Sequence, residues 1–261
     1  MQTEFILTPF FLDQFLAELK ALADPDWTIN KPALPDGEPQ SRMSILHEAL
    51  ARKVEKSIGE GKLPVSIAGD CCTTIGVTAG LQRAGVDPFL IWFDAHGDFN
   101  TWETTPSGFL GGMPLAMLAG LGEQTMPRAV GLRPLSQDRI ILTDGRDLDP
   151  GEMELVASSG VNHLVDPKNL YEYAFPDLPI YIHFDVDIIN PFDAPAMSYA
   201  ATGGPRASEL EDIFRFLAQT LQVVAISLSS WNPDLDADGG SKKTSMNLLH
   251  ALLKELQKRR K

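Results

Sequence analysis

Short apolar runs recur along the chain and are separated by stretches with helical spacing. Five runs rich in β-branched and aromatic residues predict strands, at residues 65–68, 89–93, 139–142, 180–184 and 223–228. Several of these runs are apolar throughout instead of alternating, which is typical of strands covered on both faces of a parallel sheet.

Helical stretches lie between the predicted strands. Residues 44–57 have amphipathic spacing, Ser208 precedes an acidic first turn as a candidate N-cap, and residues 245–261 end in cations that suit a helix C-terminus. This alternation predicts a three-layer α/β/α sandwich with a mainly parallel central sheet. No repeat or boundary interrupts the pattern, so we expect a single α/β domain over residues 1–261.

Two stretches without periodicity predict long loops. They cover residues 24–42 and 99–113 and are rich in Pro, Gly and polar residues. A loop of this length inside a compact domain is usually functional or disordered.

The chain is acidic, with 22 Lys and Arg against 35 Asp and Glu and a net charge of -13. This balance is unsuited to nucleic acid or an anionic membrane, which attract basic surfaces, whereas it fits a divalent cation held by carboxylates. Cys71 and Cys72 are adjacent and cannot form a disulfide framework. Without a signal-peptide pattern or an apolar run of ~18 residues, we expect a soluble, cytoplasmic protein.

Potential metal ligands follow three of the predicted strands. They lie in the segments Asp70-Cys71-Cys72, Asp94-Ala95-His96-Gly97-Asp98 and Asp185-Val186-Asp187. Ligands of parallel sheets gather at the carboxyl ends of the strands, and donors at i and i+2 point to one side of an extended chain. These donors exceed what one tetrahedral ion uses, so we expect a two-metal site with bridging carboxylates.

The same residues also have structural interpretations. An Asp at a strand end often caps the next helix, and a single His beside a sheet is often a satisfied core residue. For Asp185 and Asp187 alone the two interpretations are equally favoured, whereas the spacing of Asp94, His96 and Asp98 favours a metal.

The three segments together resemble the hallmark blocks of the ureohydrolases, the family of arginase, agmatinase and formimidoylglutamase. Those blocks are Gly-Gly-Asp-His-Ser, Asp-Ala-His-x-Asp and Ser-Phe-Asp-x-Asp-x-x-Asp-Pro. Here they read Ala68-Gly69-Asp70-Cys71-Cys72, Asp94-Ala95-His96-Gly97-Asp98 and His183-Phe184-Asp185-Val186-Asp187-Ile188-Ile189-Asn190-Pro191. The resemblance spans residues 60–236 and implies an arginase-like fold that hydrolyses a C–N bond of a guanidino or amidino compound.

The resemblance also implies a metal centre of two divalent ions, with Mn²⁺ expected first. The implied ligands are Cys71, Asp94, His96, Asp98, Asp185 and Asp187. Asp94 and Asp185 would bridge the ions, and a water activated by them would attack the substrate carbon. Asp98 would carry the proton to the leaving amine, so Asp94 and Asp98 are the expected catalytic residues. The products would be an amine and urea or a urea derivative.

The resemblance further implies substrate contacts and assembly. Asn100 and Ser107 match positions that contact a substrate α-carboxylate, and Asp149 matches the position that holds the α-amino group. Ureohydrolases commonly form trimers or hexamers, so a homo-oligomer is expected.

Three departures from arginases modify these expectations. Cys71 replaces a ligand His, and because a thiolate is softer than imidazole, Zn, Fe or Co are alternatives to Mn. Gly111 replaces a proton-shuttling His, and Ser230 replaces a Glu that grips the guanidinium. The replacement at position 71 is similar to the hydroxyarginine amidinohydrolase branch, so an N-substituted arginine is expected ahead of arginine.

Two alternatives remain open at this point. The replacements at Gly111 and Ser230 are compatible with a non-catalytic relative that binds a metal or a ligand. For either kind of protein, a buried and inert Cys71 would leave only one metal in the site. A mononuclear deacetylase-like amide hydrolase has the same architecture, but it normally has a buried His pair beside the metal. Only His96 and His183, of five histidines, lie near the blocks.

Overall fold

The predicted apolar runs form the central strands of one sheet. The computed structural model describes residues 2–259. Its strands are β1 (Thr3–Thr8), β2 (Phe10–Phe11), β3 (Gln14–Phe15), β4 (Thr28–Ile29), β5 (Leu63–Ala68), β6 (Phe89–Asp94), β7 (Ile140–Asp144), β8 (Asn162–Leu164), β9 (Ile180–Asp185) and β10 (Val223–Ser229). All five predicted strands are confirmed, each within two residues at either end.

Eight strands form a sheet in the order β4-β1-β5-β10-β9-β6-β7-β8. Every neighbouring pair in this sheet is parallel, which confirms the predicted sheet. The remaining strands, β2 and β3, form a small antiparallel hairpin. This order places β9 and β10 between β5 and β6, so the three segments with potential ligands follow strands that lie close together.

Helices cover both faces of the sheet. They are α1 (Pro39–Gly59), α2 (Thr74–Arg83), α3 (Pro114–Leu118), α4 (Thr125–Ala129), α5 (Pro150–Ser158), α6 (Ala207–Thr220) and α7 (Gly240–Arg259). Along β6, Leu90 and Trp92 enter the core shared with α1 and α2, whereas Ile91 and Phe93 enter the core shared with α6 and α7. The uninterrupted apolar runs therefore reflect burial on both faces, and the three-layer prediction is confirmed.

Several predicted boundaries were wrong. Ser208 is not an N-cap, because α6 already begins at Ala207 and the Glu209 carboxylate accepts the Arg206 N–H at 2.9 Å. The predicted loop 24–42 contains β4 and the start of α1, where Pro39 supplies a backbone already suited to a first helical turn.

The second predicted loop is confirmed. Residues 99–113 hold only a short 3₁₀ turn at Leu110–Gly112. The last predicted helix begins earlier than expected, at Gly240, and ends in Lys258 and Arg259; Arg260 and Lys261 lie outside the described residues. No helix within residues 2–259 is both long and apolar enough to cross a membrane.

Candidate metal centre

The carboxyl ends of β6 and β9 bring two aspartates to the same edge of the sheet. The strands are parallel neighbours that pair Phe93 with Phe184, and each ends one residue later, at Asp94 and Asp185. Cys71 begins a short 3₁₀ turn after β5. The sheet topology thus explains why segments distant in sequence meet in one cavity.

Two groups of potential ligands lie in this cavity, and within each group the ligand atoms are all within 4.8 Å of one another. One group consists of Cys71, Asp94, His183 and Asp185, and the other of Asp94, His96 and Asp187. Five of the six predicted ligands fall in these groups, and Asp94 belongs to both. Asp98 lines the same cavity and is buried, but it lies outside both groups.

Hydrogen bonds hold the carboxylates in place. Asp94 accepts the Trp92 indole N–H at 2.9 Å and the His96 backbone N–H at 2.7 Å. Asp185 accepts the Asp187 backbone N–H at 2.9 Å, and the His96 Nδ1 lies 3.0 Å from Asp187 Oδ2. These contacts orient the carboxylates, as a preorganised ion site requires.

Burial disfavours the ionised form of each carboxylate in this cluster when no cation is bound. Burial first, and then the Asp187 charge, raises the pKa of Asp185 to about 8; burial and the Asp94 charge raise the pKa of Asp187 to about 6. Burial and the charges of Asp94 and Asp185 hold the pKa of Asp98 well above its usual range.

For His96, in contrast, the charged form of the side chain is favoured. Burial opposes a charge on its ring, but hydrogen bonds and charges from Asp187 and Asp94 outweigh burial and raise the pKa of His96 to about 12. The cluster therefore attracts a cation strongly. Its oxygen, nitrogen and sulfur donors fit divalent metal ions, which would stabilise the carboxylates that burial disfavours.

The predicted substrate residues line the same cavity. Asn100 and Ser107 lie on its wall with Asp149, and the Asn100 amide donates to Asp149 Oδ2 at 2.9 Å. Buried Glu152 accepts the backbone N–H of Phe99 at 2.8 Å and that of Asp149 at 3.1 Å. Glu152 thereby joins the loop after β6 to the start of α5, and both carry cavity residues.

The three departures from arginases also lie in this cavity. The Cys71 Sγ is 2.7 Å from Asp185 Oδ2, and the Ser230 hydroxyl donates to the same carboxylate. Ser230 has a φ of 72°, a conformation that is uncommon for a residue with a side chain. At Gly111, a Cβ would lie 2.4 Å from the Phe109 ring, so Phe109 fills the space that a side chain there would need.

Sequence reasoning assigned no role to four residues that contact the predicted site: Trp92, Arg146, Glu152 and His183. Trp92 and His183 lie two residues before Asp94 and Asp185, so the two-residue period of a strand indicates that they share a face with those carboxylates. Burial lowers the pKa of His183 to about 3, and its ring is therefore neutral near pH 7. Nothing local in the sequence indicates the contacts of Arg146 and Glu152, because they join segments that only the fold brings together.

Comparisons with known proteins agree with this geometry. Residues 14–255 match the model of the arginase family. An arginase of Bacillus subtilis (strain 168) is 30% identical over 243 residues, which cover 87% of this chain and 82% of the relative. An N(omega)-hydroxy-L-arginine amidinohydrolase of Streptomyces lavendulae is 29% identical over 228 residues, which cover 86% of this chain and 77% of the relative.

A solved structure of an arginase from Bacillus subtilis has the same fold, with a TM-score of 0.81 and 27% identity over 97% of this chain and 98% of the other. The fold and the matches define a ureohydrolase, a metal-dependent hydrolase of linear amidines. The chain belongs to the arginase family.

Proposed function

We propose that this chain uses two divalent ions to hydrolyse the guanidino group of an α-amino acid, with an N-substituted arginine as the preferred substrate. The observation that carries the proposal is the position of Asp94, whose carboxylate belongs to both groups of potential ligands. A carboxylate shared in this way can bridge two ions.

The proposed ligands divide between two positions. Cys71 and Asp98 would hold one ion and His96 and Asp187 the other, with Asp94 and Asp185 bridging them. Two bound ions would lower the pKa of water and so supply a nucleophile near neutral pH, with Mn²⁺ as the first candidate and Zn²⁺, Fe²⁺ or Co²⁺ as alternatives.

Asp98 is the proposed proton carrier. Its carboxylate lines the cavity outside both donor groups, so one of its two oxygens can face the substrate while the other would bind the ion held with Cys71. It is also buried, at 8% exposure, which excludes most bulk water from the proton's route. We assign Asp98 to accept a proton from the attacking water and to donate it to the leaving amine.

The amino-acid end of the substrate would lie against the loop after β6. Asp149 offers a carboxylate to an α-ammonium group, while Asn100 and Ser107 offer donors to an α-carboxylate. The cavity is small, at about 190 Å³, which favours a substrate of amino-acid size.

Ser230 supports a substrate whose tail differs from that of arginine. A neutral hydroxyl cannot form the charge-assisted bidentate pair that a guanidinium favours. N-hydroxylation makes a guanidine less basic and adds a polar atom, so such a substrate depends less on a carboxylate. The relative named for hydroxyarginine is consistent with this choice.

The test is hydrolysis by Mn²⁺-loaded protein of arginine, hydroxyarginine, agmatine and guanidinobutyrate, with urea and hydroxyurea measured as products. We expect the highest kcat/KM for hydroxyarginine. Asp98→Asn should abolish turnover and leave substrate affinity largely intact, whereas Asp87→Asn, at an exposed position, should change neither. Binding of fewer than one equivalent of metal, or turnover that persists in Asp98→Asn, contradicts the proposal.

A further inference from the structure

His183 is a buried imidazole to which the ureohydrolase resemblance assigns no role. It lies on β9 two residues before Asp185, and the two side chains therefore share one face of the sheet. Its Nε2 lies 3.3 Å from the Cys71 Sγ. Because the ligand atoms of Cys71, Asp94, His183 and Asp185 are all within 4.8 Å of one another, one ion can contact all four.

Ser227 holds the His183 ring in the orientation that a metal ligand needs. The Ser227 Oγ lies 2.7 Å from His183 Nδ1 and 2.7 Å from the Tyr181 hydroxyl, and the Trp92 ring packs against the imidazole at 3.9 Å between centroids. When Nδ1–H donates to Ser227, the lone pair of Nε2 faces Cys71. Metal-bound histidines usually donate their other ring N–H to an oxygen in this manner.

We propose that His183 Nε2 binds the same divalent ion as Cys71. His183 thereby supplies, from β9, the imidazole that position 71 lacks. This inference rests on the proposed function, because it adds one ligand to that metal centre. The position that holds Cys71 then combines sulfur, nitrogen and carboxylate donors, a set that suits Zn²⁺, Fe²⁺ or Co²⁺ better than Mn²⁺. The position formed by His96 and Asp187 has only nitrogen and oxygen donors, so the two positions differ in metal preference.

A different role for His183 would be a hydrogen bond to the Cys71 sulfur. In that arrangement Nε2 carries the proton and no nitrogen of the ring reaches the ion. The two arrangements differ in the number of imidazoles bound to the metal, a quantity that X-ray absorption measures without reference to catalysis.

The decisive sample is His96→Ala protein loaded with one equivalent of Zn²⁺. This substitution removes the other imidazole of the cluster, so scattering from an imidazole beside a sulfur ligand reports on His183. We expect one sulfur at about 2.3 Å and one imidazole nitrogen at about 2.0–2.1 Å, and loss of the imidazole signal when His183→Gln is added. A sulfur-bound ion without imidazole overturns the inference. If the unmodified protein binds no Zn²⁺, Co²⁺ or Mn²⁺, the proposed function fails instead.

Co²⁺ binding gives a second measurement through the charge-transfer band between sulfur and cobalt. His183→Gln should weaken binding at the sulfur-containing position by at least about tenfold. The matched control is His47→Gln, which removes another fully buried histidine, on α1, and should leave Co²⁺ affinity unchanged.

Ser227→Ala covers the case in which His183→Gln does not fold. It keeps the imidazole and removes only the hydroxyl that accepts Nδ1–H, and we expect Co²⁺ affinity to fall about tenfold. Unchanged affinity in Ser227→Ala and in every folded variant at position 183 contradicts the assignment.

Discussion

Asp149→Asn is the substitution that tests most directly how the cavity recognises an amino acid. Asp149 precedes α5, and Asn is about as good a residue as Asp at the start of a helix, so the fold should tolerate the change. The amide can also still accept the hydrogen bond from Asn100. What the variant loses is the negative charge that we assign to the substrate's α-ammonium group.

The size of the loss follows from the kind of bond removed. A hydrogen bond to a charged group contributes about 1.5–3 kcal/mol. Since about 1.4 kcal/mol corresponds to a tenfold change in affinity, kcat/KM for arginine or hydroxyarginine should fall about 10- to 150-fold, mostly through KM.

The assay compares substrates within the same variant. Hydroxyarginine carries an α-ammonium group and guanidinobutyrate lacks it, so Asp149→Asn should impair hydrolysis of the first and leave that of the second nearly unchanged. Equal losses for both substrates would point to a damaged metal centre, and no loss for either would refute the assignment of Asp149.

Three further predictions follow from the contacts of the site. Burial raises the pKa of Asp187 from 3.8 to about 6 and that of Asp185 to about 8, so the folded metal-free protein holds protons that the unfolded chain releases. The contribution of these protons to the free energy of unfolding is complete below about pH 4 and is lost as pH rises through 6 and 8. Above pH 6.5 the buried, neutral His183 and His47 no longer change stability with pH, whereas Asp185 still loses its proton. At about 1.4 kcal/mol per pKa unit, Asp185 accounts for on the order of 2 kcal/mol between pH 6.5 and 8, so the Tm of the chelated protein should fall from pH 6.5 to 8.5 and Mn²⁺ should reverse the fall; a Tm that rises over this range contradicts the prediction. Arg146→Lys should weaken metal binding, measured by calorimetry, by about tenfold or more. The reason is that Arg146 donates to the Asp187 carbonyl at 3.1 Å and a lysine cannot reproduce its several bonds. Unchanged affinity would show that this contact does not position Asp187. Gly111→Ala should displace the Phe109 ring, which its Cβ would approach to 2.4 Å, and raise KM several-fold with a smaller effect on kcat; an unchanged KM would show that Phe109 does not shape the substrate cavity.

The central strands could be predicted because their residues are apolar on both faces. Residues 89–93 form a continuous apolar run, residues 180–184 form a run interrupted only by His183, and the structure buries every residue of β6 and β9. The edge strand β4 and its neighbour β1 were missed for the opposite reason: β4 has only two residues, and β1 is buried only in its second half. Short or half-exposed strands take their stability from the neighbours with which they pair, which a local pattern does not reveal.

The candidate site was predictable where its ligands are close in sequence. Asp94 and His96, like Asp185 and Asp187, show the i, i+2 spacing at a strand end, and the structure brings both pairs into one cavity. His183 was not identified as a ligand, because its proximity to Cys71 depends on the sheet order, with β10 between β5 and β9. Side-chain contacts between strands distant in sequence require knowledge of that order.

We propose that Asp94 and Asp185 bridge two cations at neighbouring strand ends. The most direct measurement is anomalous diffraction from crystals of the Mn²⁺-loaded protein. We expect two peaks about 3.5–4 Å apart, with carboxylate oxygens of Asp94 and Asp185 bound to both ions. A single peak, or two ions that share neither carboxylate, would contradict this proposal.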